Sequence, residues 1–384
     1  MLVRDHGHRE FYLKRYASEM KVRSAIYFDS KLYRQKSNFP LEGQLELTYR
    51  CQYDCVHCYC KKSADKKKEL SFSAWKKILD EIHEAGCFWL CLTGGDPLFR
   101  PDFLEIYSYA KHRGFLVTIL TNGYGLNKEI LNHFGKSPPY SLEITVNGIT
   151  QRTYEGITRK EGSFSRVMEN IHKLKRLNLT FYIKTNCLKQ NIHEVVKVKQ
   201  WVDEFMGKSK TIGYHFGFDP LIFPSLEGDL YPCAYRLTPE EILKIYRQDP
   251  DLSREYDDSL LCEFPGLERP PEYLYHCSSW KKQFSINPSG RLKFCLFTDK
   301  FSADLRTTSF REGFYKIFPR LLKEKFKTSS KCKTCSLRPI CNWCPAKAYL
   351  ETGSEEEPVP YYCRLTEQTL RQDQRYKREK NIQR

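Results

Sequence analysis

Short runs of alternating apolar and polar residues recur through the first part of the chain, and each run predicts a β-strand. In the run from Gly43 to Tyr49, Leu45 and Leu47 fall on one face and their neighbours fall on the other. The runs that predict strands are 43–49, 87–92, 115–121, 140–147, 179–186 and 211–217. Apolar residues at helical spacing predict helices in the intervals 71–85, 101–112, 127–134, 163–177 and 192–206. Ser71 is the predicted N-cap of the first of these helices.

The alternation of strands and helices predicts an α/β fold. Parallel strands joined by right-handed crossover helices form one sheet, and six such strands roll into a partial (β/α)6 barrel of the TIM type. Active sites on sheets of this kind lie at the carboxyl ends of the strands. We therefore expect functional residues directly after the predicted strands.

Changes in periodicity and cysteine content divide the chain into five predicted regions. They are an aromatic and basic extension (1–42), the partial barrel (43–225), a bridge rich in Pro, Glu and Tyr (226–276), a small cysteine-rich domain (277–365) and a basic tail (366–384). In the bridge, Thr238 and Pro239 predict the start of a helix. In the cysteine-rich domain, Gly290 predicts the tip of a β-hairpin.

Composition and charge exclude several classes of protein. The mean hydropathy is −0.60, no apolar run approaches the ~20 residues that span a bilayer, and the charged start of the chain excludes a secretory signal. Sixteen cysteines then indicate metal ligation in a reducing cytoplasm. The net charge of +16 has two interpretations. The basic residues either form a solvated surface or attract an anionic partner. An acidic peptide is favoured over nucleic acid, because no nucleic-acid-binding motif accompanies the charge.

Three cysteines follow the first predicted strand at a C-x3-C-x2-C spacing, and they are Cys51, Cys55 and Cys58. Three thiolates can hold three irons of an iron–sulfur cube, which leaves the fourth iron open for a substrate or cofactor. The alternative is a structural zinc site, which needs a fourth ligand. His57, between two of the cysteines, is a candidate for that ligand.

Seven more cysteines lie in the C-terminal region. Cys277 and Cys295 flank the predicted hairpin, and the others are Cys332, Cys335, Cys341, Cys344 and Cys363. Their density indicates one or two metal centres, which are either iron–sulfur clusters or zinc ions.

The spacing of Cys51, Cys55 and Cys58 resembles the signature of the radical S-adenosylmethionine (SAM) superfamily. The resemblance implies a [4Fe–4S] cluster whose open iron binds SAM, cleavage of SAM to a 5′-deoxyadenosyl radical, and an external electron donor of the flavodoxin or ferredoxin type. Gly94-Gly95-Asp96 resembles the family's GGE motif, which holds the SAM amino group. The SAM contacts that the resemblance implies are His57, Gly94, Gly95, Asp96, Thr145 and Arg159.

The C-terminal cysteines resemble a SPASM domain, which carries two auxiliary [4Fe–4S] clusters. The resemblance implies that auxiliary cluster I is held by Cys277, Cys295 and Cys344, with either Cys262 or an open iron at the fourth position. It implies that auxiliary cluster II is held by Cys332, Cys335, Cys341 and Cys363. The chain departs from the family pattern in having two residues, where the pattern has three, between Cys341 and Cys344.

Together the two resemblances imply an enzyme that oxidatively modifies a ribosomally made precursor peptide, by a thioether or carbon–carbon cross-link or by epimerisation. Sulfatase maturation is disfavoured, because Leu296 follows Cys295 where those relatives have an aspartate. Maturation of a small cofactor stays open. The alternative outside the enzymes is an iron–sulfur electron-transfer protein, in which Gly94-Gly95-Asp96 would have no purpose.

Overall fold

The computed structural model describes residues 38–60, 69–207, 215–261, 270–277 and 282–382. Its strands are β1 (Glu42–Thr48), β2 (Trp89–Gly94), β3 (Leu116–Thr121), β4 (Ser141–Thr145), β5 (Phe181–Asn186), β6 (Phe216–Asp219), β7 (Gln283–Ile286), β8 (Arg291–Lys293) and β9 (Ala303–Asp304). Its longer helices are α1 (Phe72–Glu84), α2 (Phe103–His112), α3 (Lys128–Lys136), α4 (Gln151–Thr158), α5 (Ser163–Arg176), α6 (Val195–Met206), α7 (Pro239–Arg247), α8 (Pro250–Leu261), α9 (Pro345–Thr352) and α10 (Pro360–Ile382). Shorter helical segments are Pro97–Phe99, Tyr231–Tyr235, Phe310–Glu312, Gly313–Ile317, Phe318–Leu321, Lys331–Thr334 and Arg338–Ile340.

Some predicted features lie outside the described residues. They include most of the N-terminal extension, the first part of the predicted strand 211–217, and Cys262. Within the described ranges, no helix is both long enough and apolar enough to cross a bilayer.

One sheet of nine strands runs through the described part of the molecule, in the order β6-β5-β4-β3-β2-β1-β7-β8-β9. Strands β1 to β6 pair in parallel with their neighbours, and helices fill the crossovers between them. The predicted α/β fold with a partial (β/α)6 barrel is confirmed. The sheet is open, since the described strands at its two ends, β6 and β9, do not pair with each other.

In β2 and the first part of β1, buried side chains alternate with partly exposed ones. Leu45 and Leu90 are fully buried and share a core with Trp75 of α1. Gln44 and Cys91 on the same strands are partly exposed. Because side chains alternate along a strand, the residues of the second set face the concave side of the sheet, away from the helices.

Several predicted elements begin or end at other residues in the structure, and two of the differences have a visible cause. The prediction contains no helix over 151–158, where threonines and Gly156 are weak helix formers, but Thr150 caps helix α4 by accepting a hydrogen bond from the Thr153 N–H at 3.3 Å. Strand β4 ends at Thr145, two residues earlier than predicted. Beyond that point the side-chain Oδ1 of Asn147, rather than a backbone carbonyl, accepts from the Asn186 N–H at 2.9 Å.

The cysteine-rich region shares the barrel's sheet. Strands β7 and β8 form the predicted hairpin, with Gly290 at a φ of 86° in its turn. Strand β7 also pairs in parallel with β1, with Glu42 opposite Gln283 and Leu45 opposite Ile286. This second pairing is not predicted from the sequence, and it joins the two regions through backbone hydrogen bonds.

A buried ion pair also connects the bridge to the C-terminal region. The Arg236 guanidinium donates to both carboxylate oxygens of Glu351, at 2.8 and 2.7 Å, and to the Ile222 carbonyl at 2.6 Å. It lies 4.7 Å from the ring centre of Tyr361. Bidentate pairing of this kind fixes both distance and orientation, so it holds α9 against the segment that follows β6.

Candidate functional site

The loop of residues 51–58 leaves the carboxyl end of β1 and is fastened to helix α4. The Asp54 N–H donates to the Thr158 carbonyl at 3.0 Å, and the Val56 N–H donates to the Ile157 carbonyl at 3.0 Å. Both carbonyls lie in the last turn of helix α4, where carbonyl groups have no hydrogen-bond donor within the helix. The loop backbone is therefore held without using any of its thiols.

The far end of this loop is held by the bridge. The Tyr231 hydroxyl donates to the Cys58 carbonyl at 2.5 Å, and the Leu226 N–H donates to the Tyr59 carbonyl at 2.8 Å. A further thiol, Cys60, lies with its Sγ 3.6 Å from the Cys58 Sγ. It is buried and stands outside the C-x3-C-x2-C spacing, so the sequence analysis gave it no role.

The thiols of Cys51, Cys55 and Cys58 are neighbours. Burial raises the pKa of Cys55 well above its usual range, and the nearby sulfurs of Cys58 and Cys51 raise it further. Burial, followed by the charge of Asp96, raises the pKa of Cys51 to about 12. Thiols in such surroundings stay protonated unless a cation compensates the charge, and a coordinating metal deprotonates them outright. The three residues thus fit a group that brings positive charge, as the irons of a cluster do.

Gly94, the last residue of β2, and Gly95 allow the backbone to approach closely the end of β1 and the residues that follow it. The Gly95 N–H donates to the Thr48 carbonyl at 2.7 Å. A Cβ at Gly94 would lie 2.0 Å from the Thr48 oxygen, and a Cβ at Gly95 would lie 2.4 Å from the Arg50 oxygen. The sequence predicts that these glycines allow a ligand to approach the backbone. The structure shows that the close approach of two backbone segments already requires them.

Asp96 is fully buried, and its carboxylate is bound within the chain. It accepts hydrogen bonds from the Leu98 N–H at 2.9 Å, the Thr121 hydroxyl at 2.9 Å and the Asn122 N–H at 3.0 Å. Burial raises the pKa of Asp96 to about 6, although these three donors oppose the rise. Asp96 therefore joins the end of β2 to the end of β3 at the carboxyl edge of the sheet.

Asn122 is a site residue that the sequence analysis missed. Its side-chain Nδ2 donates to the Cys51 Sγ at 3.4 Å and to the Gln52 Oε1 at 3.2 Å. The signal was present in the sequence, because Asn122 is a polar residue directly after a barrel strand, at the edge where active sites form.

Of the remaining predicted SAM contacts, His57 belongs to the cysteine loop, Arg159 contacts it, and Thr145 lies at the end of β4. The His57 Nε2 is 3.3 Å from the Asn186 Nδ2, and burial lowers the pKa of His57 to about 4, so its ring is neutral at pH 7. Thr145 is partly exposed at the end of β4. Arg159 has a φ of 53°, and its Nη1 lies 3.8 Å from the Asp54 Oδ2, which places its backbone and side chain beside the cysteine loop.

The C-terminal cysteines come together in two groups, as their effects on one another's pKa show. Burial, and then Cys344 and Cys277, raise the pKa of Cys295. Burial, and then Cys363, Cys341 and Cys335, raise the pKa of Cys332. The first group contains Cys277, Cys295 and Cys344, and the second contains Cys332, Cys335, Cys341 and Cys363.

An aromatic contact connects the chain that follows the cysteine loop with the chain that follows Cys295. The rings of Tyr59 and Phe297 are 6.5 Å apart. Tyr59 directly follows Cys58, and Phe297 comes two residues after Cys295. One pair of aromatic side chains therefore joins the two cysteine-bearing segments.

Glu356 orders the segment that leads into the second C-terminal group. Its carboxylate accepts from the Lys327 N–H at 2.8 Å and from the N–H and hydroxyl of Thr328 at 2.9 and 2.5 Å. Its backbone carbonyl accepts from the Ser330 hydroxyl at 2.5 Å. The two contacts fix the chain just before Cys332.

Replacing Glu356 by Gln is expected to destabilise the protein by about 2 kcal/mol, because hydrogen bonds to a charged acceptor are lost. Burial raises the pKa of Glu356, but these hydrogen bonds outweigh it, so the net pKa is lowered. The stabilisation is therefore full above the unfolded-state pKa of about 4.3 and is lost as the pH falls through the folded value. Urea unfolding at pH 7 and pH 3 measures both effects, and a loss of stability that is equal at the two pH values would contradict the assignment. Glu227→Gln, at an exposed position of the bridge, is the control.

Among the residues that the structure describes, no group of three or more His, Cys, Asp or Glu side chains is set to hold one metal ion.

The fold and the loop together define a class of protein, namely an open parallel α/β barrel with a set of thiols at the carboxyl end of its first strand. Residues 45–202 match the model of the Radical SAM superfamily. The chain carries a domain of that superfamily, which implies that SAM and a [4Fe–4S] cluster are its cofactors.

Two curated relatives extend beyond this domain. The AdoMet-dependent heme synthase of Methanosarcina barkeri is 26% identical over 348 residues, which are 85% of this chain and 97% of that protein. The antilisterial bacteriocin subtilosin biosynthesis protein AlbA of Bacillus subtilis is 22% identical over 336 residues, which are 79% of this chain and 71% of that protein. One relative is thus named for a tetrapyrrole and the other for a peptide product.

A solved structure has the same fold. Streptococcus suis SuiB bound to precursor peptide SuiA matches with a TM-score of 0.63 at 16% identity, over 91% of this chain and 79% of that one. At this identity the match concerns the fold alone.

Proposed function

We propose that this protein is a radical SAM enzyme of the SPASM type that oxidatively modifies a precursor peptide. The observation that carries the proposal is the division of ten cysteines into neighbouring sets of three, three and four, the first at the carboxyl end of β1. An electron-transfer protein would need the clusters but not the superfamily domain over residues 45–202.

Each set of thiols has its own role in the proposal. Cys51, Cys55 and Cys58 hold the cluster that binds SAM, and the other two sets hold auxiliary clusters I and II. When bound, the first cluster and SAM supply a 5′-deoxyadenosyl radical that abstracts a hydrogen atom, with an electron from a flavodoxin- or ferredoxin-type donor.

The SAM contacts in the proposal are His57, Gly94, Gly95, Asp96, Thr145 and Arg159. The neutral His57 ring can pack against an adenine without the cost of burying a charge. The backbone of the two glycines presents the edge of β2 to the ligand. Asp96 contributes through the backbone that it holds, because its own carboxylate is buried and bonded within the chain.

The peptide loses two hydrogens in the proposed cross-linking reaction. One leaves as the abstracted hydrogen atom, and the other leaves as a proton and an electron when the new bond forms. When bound, auxiliary cluster I would accept that electron, and the contact between the rings of Tyr59 and Phe297 at 6.5 Å supports this role. The net charge of +16 favours an acidic precursor.

The concave side of the barrel carries charges of both signs. Its partly exposed positions include the carboxylates of Glu42 and Glu143 and the ammonium of Lys184, and burial raises the pKa of Glu143 while Lys184 lowers it. These charges act in the same way on the carboxylates of an acidic peptide and on the propionates of a haem precursor. The relative named for heme synthesis matches 85% of this chain, so a haem precursor is the second candidate.

Anaerobic incubation of the reconstituted protein with SAM and a reductant tests the two candidates. One arm contains short acidic peptides encoded beside the protein, and the other contains iron-coproporphyrin. A peptide that loses two hydrogens, or gains one mass unit in deuterated water, with matching 5′-deoxyadenosine, is expected. Loss of carboxyl groups from the porphyrin, with no change in any peptide, would replace the peptide assignment by the second candidate.

A further inference from the structure

The amide of Asn122 is oriented by three hydrogen bonds. Its Oδ1 accepts from the Tyr124 N–H at 2.8 Å, which fixes which end of the amide carries the hydrogens. Its Nδ2 then donates one hydrogen to the Gln52 Oε1 at 3.2 Å and the other to the Cys51 Sγ at 3.4 Å. A rotation of the amide that broke the contact with sulfur would also break the other two bonds.

The backbone of Asn122 is fixed independently of its side chain. Its N–H donates to the Asp96 Oδ2 at 3.0 Å, and the same carboxylate oxygen accepts from the Thr121 hydroxyl at 2.9 Å. The other carboxylate oxygen accepts from the Leu98 N–H at 2.9 Å. The fully buried Asp96 therefore ties Asn122 to the end of β2 and keeps its side chain at the sulfur.

We propose that Asn122 tunes the reduction potential of the cluster held by Cys51, and that Asp96 acts as a positioning residue for Asn122. The inference rests on the proposed function, in which Cys51 is a cluster ligand. A hydrogen bond to a ligand sulfur stabilises the additional negative charge of the reduced cluster, so it raises the potential. Asn122 would thereby make the first cluster easier to reduce by the external electron donor.

Two substitutions separate the donor from the shape of the side chain. Asn122→Asp keeps an acceptor for the Tyr124 N–H, removes the donor and adds negative charge near the sulfur. Asn122→Leu keeps the branched shape of the side chain and removes both the donor and the acceptor. The matched control is Asn170→Leu, because the buried Asn170 donates to the Gly123 carbonyl in the same loop at 2.9 Å and does not reach the sulfur through that bond.

The measurement is an EPR-monitored redox titration of each reconstituted full-length protein, together with its iron content. The signal that belongs to the first cluster is the one missing from a variant in which Cys51, Cys55 and Cys58 are all Ala. We expect its midpoint to move to a more negative potential in both Asn122 variants, furthest in Asn122→Asp. The midpoints of the auxiliary clusters, and every midpoint of the Asn170→Leu protein, are expected to stay in place.

Two results would overturn the inference. One is an unchanged midpoint of the first cluster in Asn122→Asp at full iron content. The other is loss of the cluster in Asn122→Leu beside an unchanged midpoint in Asn122→Asp, which would reduce Asn122 to a structural role. The proposed function fails in a different way, since wild type and the triple Ala variant would then have the same iron content and the same EPR signals.

Discussion

Replacing Cys51, Cys55 and Cys58 together by Ala is expected to abolish the formation of 5′-deoxyadenosine from SAM. The three thiols are neighbours at the end of β1, and a cluster that loses all of its protein ligands does not bind. The iron content should fall by about four atoms per chain, while iron held by the C-terminal cysteines remains. Liquid chromatography of the nucleoside, together with iron analysis, measures both effects.

The control for this experiment is Cys87→Ala. Cys87 is a buried thiol whose Sγ contacts the carbonyls of Leu41 and Trp89 at 3.6 and 3.5 Å. It should keep both the iron and the cleavage of SAM. If the triple variant still cleaved SAM, the assignment of these three residues to the cluster would be wrong.

Gly94→Ala is expected to destabilise the protein by more than about 4 kcal/mol, which is exceptional for one methyl group. The new Cβ would lie 2.0 Å from the Thr48 carbonyl oxygen, and that carbonyl is fixed because it accepts from the Gly95 N–H at 2.7 Å. The φ of 131° adds backbone strain for any residue with a side chain. Urea unfolding of the two proteins measures the difference.

The variant Gly114→Ala separates the steric contact of the new Cβ from the strain of the backbone conformation. Gly114 has a φ of 85°, but a Cβ there would meet no atom within 4 Å. Its cost should be that of the backbone conformation alone, about 1–2 kcal/mol. Equal losses of stability in the two variants would show that strain, and not the contact with β1, is the reason for Gly94.

The parts of the fold that the sequence predicts are those encoded by neighbouring residues. The alternation of apolar and polar residues around Leu45 predicts β1, and Ser71 predicts the start of α1. The Ser71 hydroxyl does cap that helix, because it accepts from the Ala74 N–H at 3.3 Å. Helix α4 was missed because its residues are weak helix formers, and its cap is one threonine, Thr150. The pairing of β1 with β7 was missed because no local pattern records which strand lies beside which.

The residues of the candidate site also divide into those that a local pattern predicts and those that depend on contacts between distant parts of the chain. The spacing of Cys51, Cys55 and Cys58 is local and was read directly from the chain. The grouping of the C-terminal thiols was available only through resemblance to a family. Asp96 was noticed for its charge, but its three internal donors come from Leu98, Thr121 and Asn122, of which only the first is nearby in sequence. Contacts of that kind depend on how strands stack, which periodicity does not specify.

The pairing of Glu42 with Gln283 has a consequence for how the chain is made. Strand β1 leaves the ribosome early, but its partner β7 follows only after the whole barrel has been synthesised. Until then one edge of β1 carries unpaired backbone groups, and such edges recruit other chains. A truncated product that ends before β7 should therefore aggregate, and the barrel and the cysteine-rich region must reach their native state as one unit.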